Sequence, residues 1–238
     1  MPGLSKPVPF TTLSPPPGRR WPWALVFALA SALTPMQAVA QAASDPAAET
    51  RALLVRIEAE VEVDPRRALS LARRAVDLAG RAGDPALLRR ARIERCDVAA
   101  LVDPLGGLAE ADAGLALAAE TGDASALAGF RTCRGYALEL QGKPAEAALE
   151  FETSVAQAER AGDRALLADA LALRGESRHY HGRYDEAIAD LDRAYALNLE
   201  LGLKDGQRYT LNAIANVYSD ANVGEYDKAI GYYRQLLK

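Results

Sequence analysis

Apolar residues recur along this chain at helical spacing, in blocks that resemble one another. Ala147, Ala148, Phe151, Val155 and Ala158 fall on one side of a helix. So do Ala187, Ile188, Leu191, Ala194 and Tyr195, and again Ala229, Ile230, Tyr233 and Leu236. The spacing i, i+1, i+4, i+7 or i+8 is that of an amphipathic helix with one face in a core. Small residues open the matching stretches at Ala68, Gly107, Ala147, Ala187 and Ala229, and Gly135 and Gly175 stand in the helices before them, where two backbones must approach closely. No run of β-branched and aromatic residues alternates with period two, so no strand is predicted.

Two kinds of turn divide the blocks. Gly83-Asp84, Gly122-Asp123 and Gly162-Asp163 share one form, and Gly202 to Asp205 is a looser version; the glycines stand 39, 40 and 40 residues apart. Glycine suits the residue just past a helix, and aspartate suits the cap of the next one. The second turn carries proline at Asp64-Pro65, Asp103-Pro104 and Lys143-Pro144, where its missing N–H costs a starting helix nothing. In later units it becomes Gly182-Arg183-Tyr184 and Gly224-Glu225-Tyr226. Together the turns predict five helix pairs. The first helices run near 47–62, 85–101, 124–141, 164–181 and 206–221, and the second near 65–81, 104–120, 144–160, 184–201 and 226–238.

Arg174 to Leu199, R-G-E-S-R-H-Y-H-G-R-Y-D-E-A-I-A-D-L-D-R-A-Y-A-L-N-L, resembles one tetratricopeptide repeat: helix, short turn, helix, with small residues at the crossing. The resemblance extends over residues 47–238 and is strongest from Arg131 onward. The period is nearer 40 than the standard length, as in the longer subclass of these repeats. The first-helix Trp of the family is absent, Arg178 stands where Tyr is usual, and Ser219 to Val223 lengthens the last turn. The resemblance implies an all-α fold, a right-handed α-solenoid of about five helix pairs.

The first forty residues differ from the rest. Lys6, Arg19 and Arg20 stand in a proline-rich stretch without acids, an apolar run follows from Trp21 to Leu33, and Ala38-Val39-Ala40 precedes Gln41. This is the pattern of a secretory signal peptide over residues 1–40, cleaved after Ala40. The apolar run is too short for a bilayer-spanning helix. Residues 41–46 read as a linker and 47–238 as the repeat domain. Of the 28 basic residues the leader takes three, leaving 25 against 32 acids and a net charge of −7. An acidic exported chain is a poor nucleic-acid binder, and no membrane span is expected in the mature segment. The expected location is the periplasm of a Gram-negative bacterium.

Solenoids usually end in a polar capping helix. The sequence ends within a second helix and leaves Leu236 and Leu237 uncovered, so the domain is expected to be truncated there, and self-association through that end is a further expectation. Tyr209 to Leu237, with A-I-A-N-V-Y and G-E-Y-D-K-A-I-G-Y-Y, is similar to the periplasmic N-terminal region of bacterial diguanylate cyclases that carry such repeats ahead of a GGDEF domain. That resemblance implies the sensory part of a membrane-anchored signalling protein. The alternative is a self-standing periplasmic scaffold or adaptor for an envelope complex.

The family geometry places the first helices on a concave face that binds a protein or peptide. Its candidate residues are Arg89, Arg92, Thr132, Tyr136, Glu139, Asp169, Glu176, His179, Tyr209, Asn212, Asn216 and Ser219. His179 and His181, two apart on a helix, point to different sides and do not suggest a metal site. An exported protein meets an oxidising compartment, but Cys96 and Cys133 stand at different depths of their repeats, which argues against a disulfide. No P-loop, GxSxG, HExxH or dinucleotide fingerprint occurs. Neither an enzyme within these residues nor a cofactor or metal is expected.

Overall fold

The structure, a computed structural model, describes residues 45–236. The expected signal peptide, most of the linker, and Leu237 lie outside the described residues. Among the described residues ten helices follow one another: α1 Pro46–Val61, α2 Pro65–Ala82, α3 Pro85–Val102, α4 Pro104–Thr121, α5 Ala124–Leu140, α6 Pro144–Ala161, α7 Arg164–Tyr180, α8 Tyr184–Leu201, α9 Lys204–Ser219 and α10 Tyr226–Leu236. The two kinds of turn set these bounds. The carboxylates of Asp45, Asp64, Asp84, Asp103, Asp123 and Asp163 each accept a backbone N–H of the helix they precede. Gly83, Gly122, Gly162 and Gly202 end the second helices with φ near +68°, which a side chain would resist. The last first-helix starts earlier than expected, because Leu203, not Asp205, occupies its N-cap without a side-chain bond.

Helices pack in sequence, α1 on α2, α2 on α3, and so on to α10. Each first helix also touches the next first helix, α1 to α3, α3 to α5, α5 to α7 and α7 to α9, whereas among the described residues no second helix contacts another. An array closed up on one side and splayed on the other must curve, with α1, α3, α5, α7 and α9 on the inside. The result is a right-handed α-solenoid of five helix pairs.

Small residues let the helices of a pair meet. Ala68, Ala147 and Ala187 have no exposed surface. A Cβ added to Gly107 would lie 2.4 Å from the Cα of Ala100, so α4 lies directly on the backbone of α3. Larger side chains fill the intervals: Leu54, Ile57, Phe151, Leu171, Leu191 and Ile214 are fully buried. Ile230 and Tyr233 of the expected α10 core face are instead 45% and 36% exposed. Among the described helices α10 packs on α9 alone, so only its Ala229 side is covered.

Cys96 and Cys133 form a disulfide, with Cα atoms 6.1 Å apart, which corrects the expectation from sequence. Repeats stacked by translation meet front to back. A residue on the forward side of α3 therefore faces the rear side of α5, and the two must occupy different repeat positions. The difference in depth is what allows the bond.

Candidate functional site

Counting from the turns that start each first helix, Glu58, Asp97, Tyr136, Glu176 and Asn216 hold one repeat position. Arg51, Arg90, Gly129, Asp169 and Tyr209 hold the position seven residues earlier, two turns along the same side of each helix. These rows run across the inner face. Arg90 Nη2 lies 3.6 Å from Glu58 Oε1, joining α3 to α1. The Tyr209 hydroxyl donates to Glu176, joining α9 to α7. Burial, and then the charge of Asp205 from the last pair, raises the Glu58 carboxyl, with Arg90 opposing.

Carboxylates crowd this face. Loss of hydration against the surrounding helices, followed by the charge of Glu58, pushes the Glu94 carboxyl up to about 7, with Arg90 opposing. The same loss, opposed by Arg90 and reinforced by Asp163 and Glu58, raises Asp169 to about 6, although the Asp169 side chain is exposed to water, which weakens the effect. Asp97 is pushed well above its ordinary range by burial and then by Glu94 and Asp169. Its Oδ1 meets neither solvent nor a hydrogen-bond donor. Three tyrosines complete the surface: Tyr136 is half-buried, Tyr209 is 41% exposed and Tyr180 is 69% exposed.

The structure sorts the sequence-derived candidates into groups. Tyr136, Asp169, Glu176 and Tyr209 lie on the inner face, with Asn216 at the same repeat position as Glu176. Asn216 accepts the Tyr233 hydroxyl at 2.6 Å, and its backbone carbonyl accepts from Ser219 Oγ at 3.0 Å. Asn212 is exposed on α9. Glu139 and His179 link repeats: Glu139 accepts from Ser177 at 3.1 Å and meets His181 Nε2 at 2.7 Å, while His179 Nε2 lies 3.3 Å from Asp220. Thr132 is buried, its hydroxyl 2.6 Å from that of Ser154, and belongs to the packing of α5 on α6. Arg89 runs along the edge where first helices begin, 3.2 Å from Asp123 and 3.8 Å from Asp163. Arg92 lines, with Leu117, Gly114 and Phe130, a groove of about 320 Å³ between α3, α4 and α5.

Arg89 and Arg92 thus miss the inner row that Arg90, Glu94 and Asp97 occupy. A slip of one residue turns a side chain about 100° around a helix. The signal that finds the right residues is the repeat ruler itself: stepping back from Glu176 and Tyr136 lands on Asp97 and Glu58.

Sequence reasoning also missed an ion-pair ladder. In the second, third and fourth pairs an arginine of the first helix meets an acid of the second: Arg95 with Glu110, Arg134 with Glu150, and Arg174 with Asp190. Asp190 is 6% exposed and binds Arg174 at 2.7 Å and Arg178 at 2.6 Å. This explains why arginine takes the place of the family's tyrosine at 178. Among the described residues no three His, Cys, Asp or Glu come close enough to hold a metal ion, and no helix is long and apolar enough to cross a membrane.

No protein-family model matches the chain, and no curated protein sequence matches it. Solved structures do. The chain is similar to a Rap protein complexed with competence and sporulation factor, at TM-score 0.62 and 15% identity over 79% of this chain and 53% of that one. It is also similar to BtubC from P. vanneervenii, at TM-score 0.52 and 21% identity over 84% and 89% of the two chains. A kinesin light chain of Podosopora anserina with nearly identical TPR-like repeats aligns at TM-score 0.48, with 14% identity over 80% and 93%. The chain spans about half the length of the Rap protein. Its fold is that of a TPR-like α-solenoid.

Proposed function

We propose that the chain is an exported interaction module that holds a protein or peptide segment along the inner face of its first helices. One observation carries the reading: polar and aromatic side chains form a continuous row across five consecutive first helices, from Glu58 through Asp97, Tyr136 and Glu176 to Asn216. The complex of the structurally similar Rap protein with competence and sporulation factor supports a bound partner by analogy of fold. Export is supported by the leader pattern of residues 1–40 and by the Cys96–Cys133 disulfide, a bond suited to an oxidising compartment. The module is the sensing region of a membrane-anchored signalling protein such as a diguanylate cyclase; the likeness of Tyr209 to Leu237 to such regions supports this.

Selection from a random-peptide library tests the binding role. Selected peptides are expected to lose affinity for Glu176→Arg and keep it for Glu120→Arg on exposed α4. Equal binding to both variants would place the ligand elsewhere. An alkaline phosphatase fusion after the last residue tests export, with activity expected and its absence contradicting it.

A further inference from the structure

We infer that the groove between α3, α4 and α5 is a binding site for a small alkyl carboxylic acid, its carboxylate held by Arg92 and its chain laid on Leu88, Leu117, Ala126 and Phe130. The groove has a volume of about 320 Å³, at the small end of ligand sites. It lies away from the proposed peptide-binding face. At about 100° per residue, Leu88 and Arg92 stand nearly opposite Arg90, Glu94 and Asp97 around α3.

Arg92 is a cation without an anion. In the third pair Glu150 accepts from two arginines, Arg131 and Arg134. Arg92 and Arg95 hold the same repeat positions one pair earlier, with Glu110 in the place of Glu150. Glu110 meets Arg95 alone. Among the described residues the half-buried Arg92 side chain has no hydrogen bond and no ion pair, and it lines the groove. A second irregularity marks the same place. Seven residues past the N-cap, α3, α7 and α9 carry Ala91, Ala170 and Thr210, whereas α5 carries Phe130, whose ring lies on the bare backbone of Gly114. Leu117 on the rim is 39% exposed. A free guanidinium beside an apolar wall is complementary to a carboxylate on a hydrocarbon chain, which forms a two-pronged ion pair and buries apolar surface together.

The other polar side chains of the groove are engaged. Arg89 lies 3.2 Å from Asp123 and 3.8 Å from Asp163, and the Thr121 hydroxyl donates to the Leu117 carbonyl at 2.9 Å. A peptide laid here would strip water from its amide groups and find no partners for them. A hydrocarbon chain has none to match, so the ligand is a free acid of about a dozen non-hydrogen atoms.

The test is isothermal titration calorimetry of the full chain with decanoate, at about 150 mM salt. Saturable one-to-one binding is expected, with a dissociation constant of about 0.01–1 mM. Decylamine, which reverses the charge, is expected to bind at least about tenfold more weakly. Arg92→Gln should weaken decanoate binding about tenfold or more and leave the urea midpoint unchanged, since Arg92 holds no partner. Arg160→Gln, exposed on α6, should change binding less than about twofold. No saturable binding of decanoate overturns the proposal. So does an equal loss in the two variants, which marks bulk attraction, or a loss of helical circular dichroism on adding decanoate, which marks unfolding by a surfactant. Binding of N-acetyl-Leu-Leu as tight as that of decanoate would overturn the free acid and make the groove a site for a peptide C-terminus. None of these outcomes bears on the inner face, whose peptide is read separately through Glu176→Arg.

Discussion

Cys96 and Cys133 join the first helices of the second and third pairs through a disulfide with no exposed surface. The bond crosses the middle of the inner face's supporting layer and ties residues 37 apart in sequence. Its loss is expected to cost about 2–4 kcal/mol. Cys96→Ser should lower the urea midpoint accordingly, and the native chain should show no thiol to a thiol reagent until it is unfolded. Reactive thiols in the folded, air-oxidised protein would contradict the assignment.

Asp190 holds two guanidinium groups, those of Arg174 and Arg178, in a largely buried site. Asp190→Ala leaves both without their shared acid and is expected to destabilise the fold by about 3–5 kcal/mol. Exposed pairs such as Arg193–Glu159 behave differently: Glu159→Ala should change stability by about 0–1 kcal/mol. Equilibrium denaturation of the two variants checks the contrast.

Two helix glycines differ in what surrounds them. A methyl group on Gly107 would strike the backbone of Ala100, which cannot swing aside, whereas one on Gly80 meets nothing within 4 Å. Gly107→Ala is expected to cost about 1–3 kcal/mol. Gly80→Ala should add about 0.5–1 kcal/mol of stability. Thermal melts of both read the opposite signs.

Stability should fall as pH rises through neutrality. Glu94, raised from 4.5 to about 7, faces Glu58 of α1, Arg90 and Asp97 of its own helix, and Asp169 of α7, with Tyr136 of α5 beside Asp97. The folded chain holds this proton more tightly than the unfolded one. Below the unfolded value both states are protonated and the contribution is fully present. As pH climbs through about 7, the folded chain gives up a proton that the unfolded chain has already lost, and the contribution disappears. Asp169, raised to about 6, acts in the same direction. Glu94→Gln is therefore expected to stabilise by about 1 kcal/mol near pH 8, allowing for the water that reaches the face, and to change little near pH 4. A larger gain at the acid end would contradict the assignment.

Helix pairs were legible in the sequence because turn chemistry is local: aspartate, proline and glycine each act on their own backbone. The inner face was only partly legible. Tyr136 and Glu176 could be placed by family geometry, but Arg89 was read in place of Arg90, since a slip too small to move a helix end still turns a side chain off the face. The ladder at Glu110, Glu150 and Asp190 joins residues 15 to 16 apart in sequence, and its acids resemble any solvated carboxylate until the helices are paired. The disulfide was misread because repeat depth was compared as if neighbouring helices met side by side at equal positions.

The central claim is that ligand lies along the first helices. Amide hydrogen exchange of the full chain, with and without a library-selected peptide, tests it most directly. Slower exchange is expected in α3, α5, α7 and α9, with α2, α4, α6 and α8 unchanged. Protection confined to the second helices would contradict the account and move the binding surface to the outer side of the solenoid.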